Sequence, residues 1–247
     1  MARAASSISI KPGVKYSRAG EKGLEITGEQ GRFTDWMYGE IAPYVKGHVL
    51  EIGSGLGTYS ERLLKRDSGA VFSDVDSAFV RGLKRRFPRN EALILDMSSK
   101  SQIAALKKRH RFDTIIFLNV LEHVKNDEEA LRLMRSLLSK NGRIICLVPT
   151  HPFLYNTMDK SVGHYRRYTK KEISAKIASA GFFVEKAFYF NAFAIPGWYL
   201  GGLLKRNVVP GNAMRLFNTL VPVFRFIERN VLFRSIGIST IVVARRK

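Results

Sequence analysis

Cysteine is nearly absent from this 247-residue sequence: Cys146 is the only one. One thiol cannot build a disulfide framework within a chain, so a reducing compartment is expected. Cys146 sits in the apolar run GRIICLVP, without basic or helix-start surroundings, and reads as a small buried filler and not a nucleophile. Acids are scarce as well, 21 Asp+Glu against 41 Lys+Arg, a formal net charge of +20. Such a field attracts nucleic acid, an acidic substrate or an anionic membrane surface, without choosing among them. Long apolar runs are also missing. The opening MARAASSISIKPG lacks an extended apolar stretch, so no secretory leader is expected. The longest uncharged segment, Phe188 to Leu204, is broken by Asn191, Pro196 and glycines, and reads as interfacial or folded in, not spanning.

What is present is alternation. The apolar fraction of 45% supplies a core, and the length suits one domain with an embellishment. Strand-like runs occur at HVLEIG, AVFSDVD, ALILD, FDTIIFLNV, GRIICLVP and FFVEKAFYF, with STIVVARRK as one more at the end. Helical patterns lie between them. Phe79, Leu83 and Phe87 form one stripe before Pro88. The run NDEEALRLMRSLLSKNG has acids in its first turn and Asn141–Gly142 as a stop. Thr169 and Glu172 stand at capping-box spacing. This pattern predicts an α/β fold, a mostly parallel sheet with helices on both faces. Within a single domain over 1–247, residues 1–32 read as an N-terminal arm, 33–190 and 239–247 as the core, and 191–238 as an apolar and basic insert.

The stretch VLEIGSGLGTYS leads a strand into three glycines and a helix start, a place where backbone N–H groups face a ligand. A dinucleotide fingerprint would need a third glycine at position 58, which is Thr58; the glycines are Gly53, Gly55 and Gly57. The second strand ends in Asp74, about twenty residues on, where a carboxylate can accept both ribose hydroxyls. The third strand ends in Asp96. Glycine, acid, acid on successive strand ends suits an adenosine ligand without a diphosphate.

With LEIGSGLG, SDVDSAF, LILDM and FLNVLEHV in order, the chain resembles the class I S-adenosylmethionine-dependent methyltransferases, over roughly residues 33 to 191 plus the last strand. The resemblance implies a Rossmann-like seven-stranded sheet whose last strand is antiparallel. It implies S-adenosylmethionine as cofactor and S-adenosylhomocysteine as product. It places Gly53, Gly55 and Gly57 at the methionine part, with Glu51 beneath them near its amino group. It sets Asp74 at the ribose, Asp96 and Met97 at the adenine, and Asn119 near the sulfonium. Asp76 is a further cofactor candidate that helix capping would serve equally well.

A methyltransferase must align its acceptor, remove a proton where there is one, and exclude water. His123, His151 and His164 follow strands four and five and are the candidate bases, whereas His48 and His110 precede strands and belong to the opposite edge. NVLEHV resembles ubiquinone-pathway O-methyltransferases, in which a Glu-x-x-Glu-His cluster is associated with a divalent metal. Asn119 stands for the first glutamate here, and Glu122 with His123 is a thin ligand set, so no required metal is expected. In DKSVGHYRRYTKKE, Arg166 and Arg167 between Tyr165 and Tyr168 suggest a clamp for an anionic acceptor. Trp198 and Tyr199 open the insert, where apolar side chains and arginines interleave as in helices that lie on an anionic membrane or roof a hydrophobic pocket. A dimer interface or a cover for the sheet edge is the plainer alternative; oligomeric state stays open.

The leading expectation is a cytoplasmic methyltransferase acting on a small amphipathic or anionic acceptor (a lipid, isoprenoid or lipid-linked intermediate), with peripheral membrane contact. A nucleic-acid methyltransferase is less favoured, because strand four lacks an Asn/Asp-Pro-Pro-aromatic motif. The third reading is a cofactor-binding module without activity.

Overall fold

The computed structural model describes residues 31–65, 69–206 and 211–247, so the N-terminal arm lies almost wholly outside the described residues. The segment GRFTDWMYGEI forms α1 (Gly31–Ile41) and leads into β1 (Val49–Ile52). Then follow α2 (Ser60–Leu64), β2 (Val71–Asp74), α3 (Ser77–Arg86), β3 (Ala92–Ile94), α4 (Lys100–Arg109) and β4 (Phe112–Leu118). The second half holds α5 (Asp127–Leu137), β5 (Leu138–Pro149), α6 (Thr157–Val162), α7 (Lys170–Ser179) and β6 (Phe182–Phe190). Helices α8 (Ala194–Leu203) and α9 (Gly211–Asn230) precede β7 (Ser239–Arg246).

The seven strands form one sheet in the order β3-β2-β1-β4-β5-β7-β6. Neighbours from β3 to β5 are parallel, and β7 runs antiparallel between β5 and β6. Strand order reverses between β1 and β4, the topological switch point at which open α/β sheets bind ligands. β1 and β2 are buried at every position, the polar Glu51, Ser73 and Asp74 included. One core lies on the side of α5 and α7, with Phe117, Met134, Ile173 and Phe182. The other lies on the side of α1 and α3, with Trp36, Phe72, Leu83 and Phe190.

Local chemistry sets the helix starts. Asp76, Ser99, Asn126 and Thr169 each accept a backbone N–H at an N-terminus, and Thr169 with Glu172 closes the expected capping box. The stop expected at Asn141–Gly142 falls earlier. α5 ends at Leu137 and the chain is already paired at Leu138, opposite Phe112. Gly142 is instead a strand residue, where a Cβ would come within 2.9 Å of the Phe112 carbonyl oxygen. Tertiary pairing overrides the turn signal there.

The insert between β6 and β7 is mainly helical. α9 packs on α1: Phe33 N–H donates to Asn218 Oδ1 at 3.0 Å, and the Phe33 and Phe217 rings meet edge to face at 5.9 Å. α8 lies on α6 so closely that a Cβ on Gly201 would stand 2.6 Å from Met158 Sδ. Among the described residues no helix is long and apolar enough to cross a membrane.

Candidate active site

The loop after β1 needs its glycines. Gly53, Gly55 and Gly57 all have positive φ, at 72°, 50° and 79°. A Cβ on Gly53 would fall 2.5 Å from Val120 Cγ2, and one on Gly57 would fall 2.7 Å from Phe87 Cε2. The bare backbone is therefore pressed between the loop after β4 and the end of α3. Such a loop presents bare backbone at the carboxyl end of β1, where the implied cofactor's amino-acid end is expected.

Acids tie this loop from below. Asp74 is buried, and its two oxygens accept the backbone N–H groups of Gly55 and Asp76, each at 2.9 Å. Burial raises its pKa against those bonds. Each oxygen keeps a second lone pair, the acceptor capacity a ribose diol needs. Glu51 is also buried, holding the hydroxyls of Ser54 (3.0 Å) and Ser60. Burial, outweighing the two hydroxyl bonds, pushes it up to about 7. Asp76 accepts from Ala78 N–H at 2.7 Å, so its carboxylate serves as the cap of α3.

Asp96 is half-buried at the end of β3, with one oxygen accepting from Ser98 N–H and Oγ. Met97 departs from the expectation. Its side chain is in the core with Leu95 and Ile103, leaving only its backbone for the adenine. Asn119 is exposed at the end of β4 with φ 55°, a strained conformation for a residue with a side chain, and its N–H is fixed to the Leu147 carbonyl at 2.9 Å.

Beyond β4 the chain gathers histidines. The rings of His123 and His164 meet edge to face at 4.7 Å. His164 Nδ1 lies 2.8 Å from Asp159 Oδ1, and its Nε2 faces Glu122 Oε1 at 3.7 Å. Burial alone would raise Asp159, but the His164 hydrogen bond and the Arg167 charge hold it below the usual carboxylate range. An ionised Asp159 assigns the proton to Nδ1 and leaves Nε2 as the open lone pair. Glu122 is fully buried with both oxygens unpartnered, and burial, eased by His164, pushes it up to about 7. Burial and the neighbouring His164 push His123 down to about 4, so it is neutral at physiological pH. One ligand atom each from Glu122, His123 and His164 lie within 4.8 Å of one another. Folding thus adds a third candidate ligand to the pair visible in the sequence.

His151 is elsewhere: Nε2 lies 2.9 Å from the Gly237 carbonyl, and its ring stacks on Tyr189. His48 and His110 pair with each other at 3.3 Å, just before β1 and β4. Burial raises the Cys146 thiol far above its ordinary range.

The arginine clamp is a correction. Arg167 is buried, its Nε donating to Asp159 at 2.9 and 3.0 Å and Nη1 to the Thr150 carbonyl, with the Trp198 ring over its guanidinium at 4.7 Å. Arg166 donates to Asp127 Oδ2 at 3.0 Å and to the Lys125 carbonyl at 2.8 Å. In an acid-poor chain these two cations are held by the few acids near them, and neither is free to grip an anion. Tyr165 and Tyr199 are exposed, and Trp198 is half-buried. The residue that sequence reasoning passed over is Asp159. Its signal was a carboxylate five positions before His164, across a short helix stopped at Gly163.

Comparison with known proteins agrees with this geometry. Residues 50–144 match the family model described as "Methyltransferase domain". The chain is 33% identical over 109 residues to a non-reducing polyketide synthase of Preussia isomera, covering 40% of this chain and 4% of that one. It is 22% identical over 147 residues to a ubiquinone biosynthesis O-methyltransferase of Coxiella burnetii, covering 54% of this chain and 62% of that one. Both matches therefore fall short of the relatives' full length. An S-adenosylmethionine-dependent methyltransferase structure from Archaeoglobus fulgidus superposes with a TM-score of 0.58 at 18% identity, over 87% of this chain and 94% of that one. The strand order and the antiparallel last strand are those implied by the resemblance to class I S-adenosylmethionine-dependent methyltransferases, and residues 50–144, which include the glycine loop, match a methyltransferase domain.

Proposed function

We propose that this protein transfers a methyl group from S-adenosylmethionine to a small amphipathic or anionic acceptor, of the lipid, isoprenoid or lipid-linked class, with His164 taking the acceptor's proton. The observation that carries the reading is a juxtaposition: Gly53 closes on Val120, two residues before Glu122, which His164 faces. The cofactor cradle and the proton-accepting cluster are thus adjacent.

S-adenosylmethionine, when bound, supplies an already activated methyl group, so the protein's work is alignment and proton removal. Gly53, Gly55 and Gly57 present backbone to the amino-acid end, with Glu51 beneath. Asp74 and Asp96 hydrogen-bond the ribose and adenine, and Asn119 lies at the sulfonium end. Asp159 orients His164 so that Nε2 accepts the acceptor's proton, beside the buried Glu122 carboxyl, which burial raises to about 7. Tyr165, Trp198 and Tyr199 offer aromatic surface to an apolar acceptor body.

Calorimetry with S-adenosylmethionine tests the cofactor half: binding is expected, and it weakens in Asp74→Ala. Incubation of labelled methyl donor with a total lipid extract and, separately, with RNA tests the acceptor half. Label in the organic phase supports the reading; label confined to RNA replaces it with the nucleic-acid alternative.

A further inference from the structure

α9 carries two apolar stripes. Phe217, Val221 and Phe224 face α1 and the core. Leu216, Leu220, Val223 and Phe226 form a second stripe, about a third of a turn round the helix at roughly 100° per residue. This outer stripe faces solvent, with Leu216 62% and Phe226 64% exposed. A helix that needed only to cover the sheet would leave that side polar.

The same exposure recurs at the C-terminal end of α8, where Leu200, Leu203 and Leu204 are exposed and Lys205 and Arg206 follow. Phe193, beside the start of α8, stacks on Phe224 of α9 at 4.2 Å, so the two helices are joined. Apolar exposure on this scale marks an interaction surface.

Charge selects the occupant. Residues 191–238 contain six cations and a single acid, Glu228. Glu228 is buried, accepting the N–H groups of Asn191 and Ala192 at 2.9 Å. Arg234 is paired with Glu40. Lys205, Arg206, Arg215, Arg225 and Arg229 remain exposed beside the apolar stripes. A second copy docked face to face would set these cations against themselves. An anionic bilayer satisfies both features: acyl chains receive the leucines and phenylalanines, and phosphates receive the arginines.

We propose that the outer stripe of α9 and the C-terminal end of α8 dock on the headgroup region of an anionic lipid bilayer. This deepens the acceptor reading above, since it names the surface from which an amphipathic acceptor is drawn. It rests on that reading only for its purpose, because vesicle binding is measured without methyl donor or acceptor and so fails separately from methyl transfer.

The test is sedimentation of the full chain with phosphatidylcholine vesicles, with and without phosphatidylglycerol. Selective binding to the phosphatidylglycerol vesicles, weakening with salt, is expected. Leu216→Ser with Phe226→Ser should lower the partition coefficient by about tenfold or more. Arg215→Gln with Arg229→Gln should lower it by about tenfold as well. All four positions are exposed, and an unchanged melting temperature identifies variants that fold. Equal binding to both vesicle types, or anionic binding that neither variant weakens, overturns the proposal. So does a dimer that Leu216→Ser with Phe226→Ser dissociates, in a protein that ignores vesicles.

Discussion

Asp159 accepts His164 Nδ1 at 2.8 Å while the same carboxylate receives Arg167 Nε at 2.9 and 3.0 Å. One buried acid thus fixes the tautomer of the proposed base and neutralises the cation that carries Trp198. The insert and the reacting group are joined through two side chains.

His164→Asn is expected to lower methyl transfer by about 10²- to 10⁴-fold, the range for loss of a positioned base. S-adenosylmethionine affinity should be unchanged, because His164 lies beyond the glycine cradle. Asp159→Asn keeps a hydrogen-bond partner for Nδ1 but removes the charge that stabilises the imidazolium, so methyl transfer should fall while S-adenosylmethionine affinity is unchanged. Wild-type turnover in His164→Asn would remove this residue from the mechanism.

Gly53→Ala should abolish cofactor binding. Its φ of 72° is unfavourable for alanine, and its Cβ would collide with Val120 Cγ2 at 2.5 Å. Strain at such a position costs on the order of 1–3 kcal/mol. Adding Val120→Ala relieves the collision but not the dihedral strain, so calorimetry should find only partial recovery. Full recovery would mean that side-chain packing, and not backbone conformation, fixes this glycine.

Glu51 gives stability a pH dependence of known sign. Its folded pKa, pushed up to about 7, exceeds the ordinary 4.5. The native state therefore holds a proton that the unfolded chain has released, and stability falls as pH rises from about 4.5 to about 7. The full effect is roughly 3 kcal/mol at 1.36 kcal/mol per unit. Glu51→Gln keeps acceptance from Ser54 and Ser60 without titrating. Its melting temperature should match the wild type near pH 5 and exceed it at pH 8. Parallel melting curves across that range would contradict the assignment.

The β-sheet and the glycine loop after β1 were legible because both are written in local sequence: apolar runs, glycines at fixed offsets, acids at strand ends. The histidine cluster was not. His123 and His164 meet only once the chain after β5 returns past β4, and nothing in NVLEHV announces Asp159. Arg166 and Arg167 read as a clamp because a sequence shows charges without their partners. Asp127 and Asp159, which engage them, lie 39 and 8 positions away. Met97 differs in another way: its side chain turns into the core, which the strand-end position does not reveal.

The cluster of Glu122, His123 and His164 permits a direct test of metal dependence. One carboxylate with two imidazoles is a poor set for Mg²⁺ or Ca²⁺, which favour several oxygens. Burial also holds Glu122 near half-protonation at neutral pH. Extensive dialysis against a chelator is expected to leave methyl transfer unchanged. Activity lost on chelation and restored by Mn²⁺ or Zn²⁺ would make the cluster a metal centre.

Gly201 decides how closely α8 meets α6. A Cβ there would stand 2.6 Å from Met158 Sδ, and one on Gly202 would stand 2.5 Å from Asn156 Nδ2. Gly201→Val should lift α8 from α6 and cost about 1–3 kcal/mol, the usual range for overpacking. Trp198, whose carbonyl accepts from Asn156 Nδ2 at 3.4 Å, would then lose its seat over Arg167. The expected signature is a lower melting temperature with a raised acceptor KM and unchanged S-adenosylmethionine affinity, because the cradle after β1 is remote from this contact. Leu203→Ser, on the exposed side of the same helix, should leave melting temperature and KM alone in detergent-dispersed assays. If Gly201→Val left the acceptor KM unchanged while destabilising the protein, α8 would be a cover for the fold and not a wall of the acceptor site.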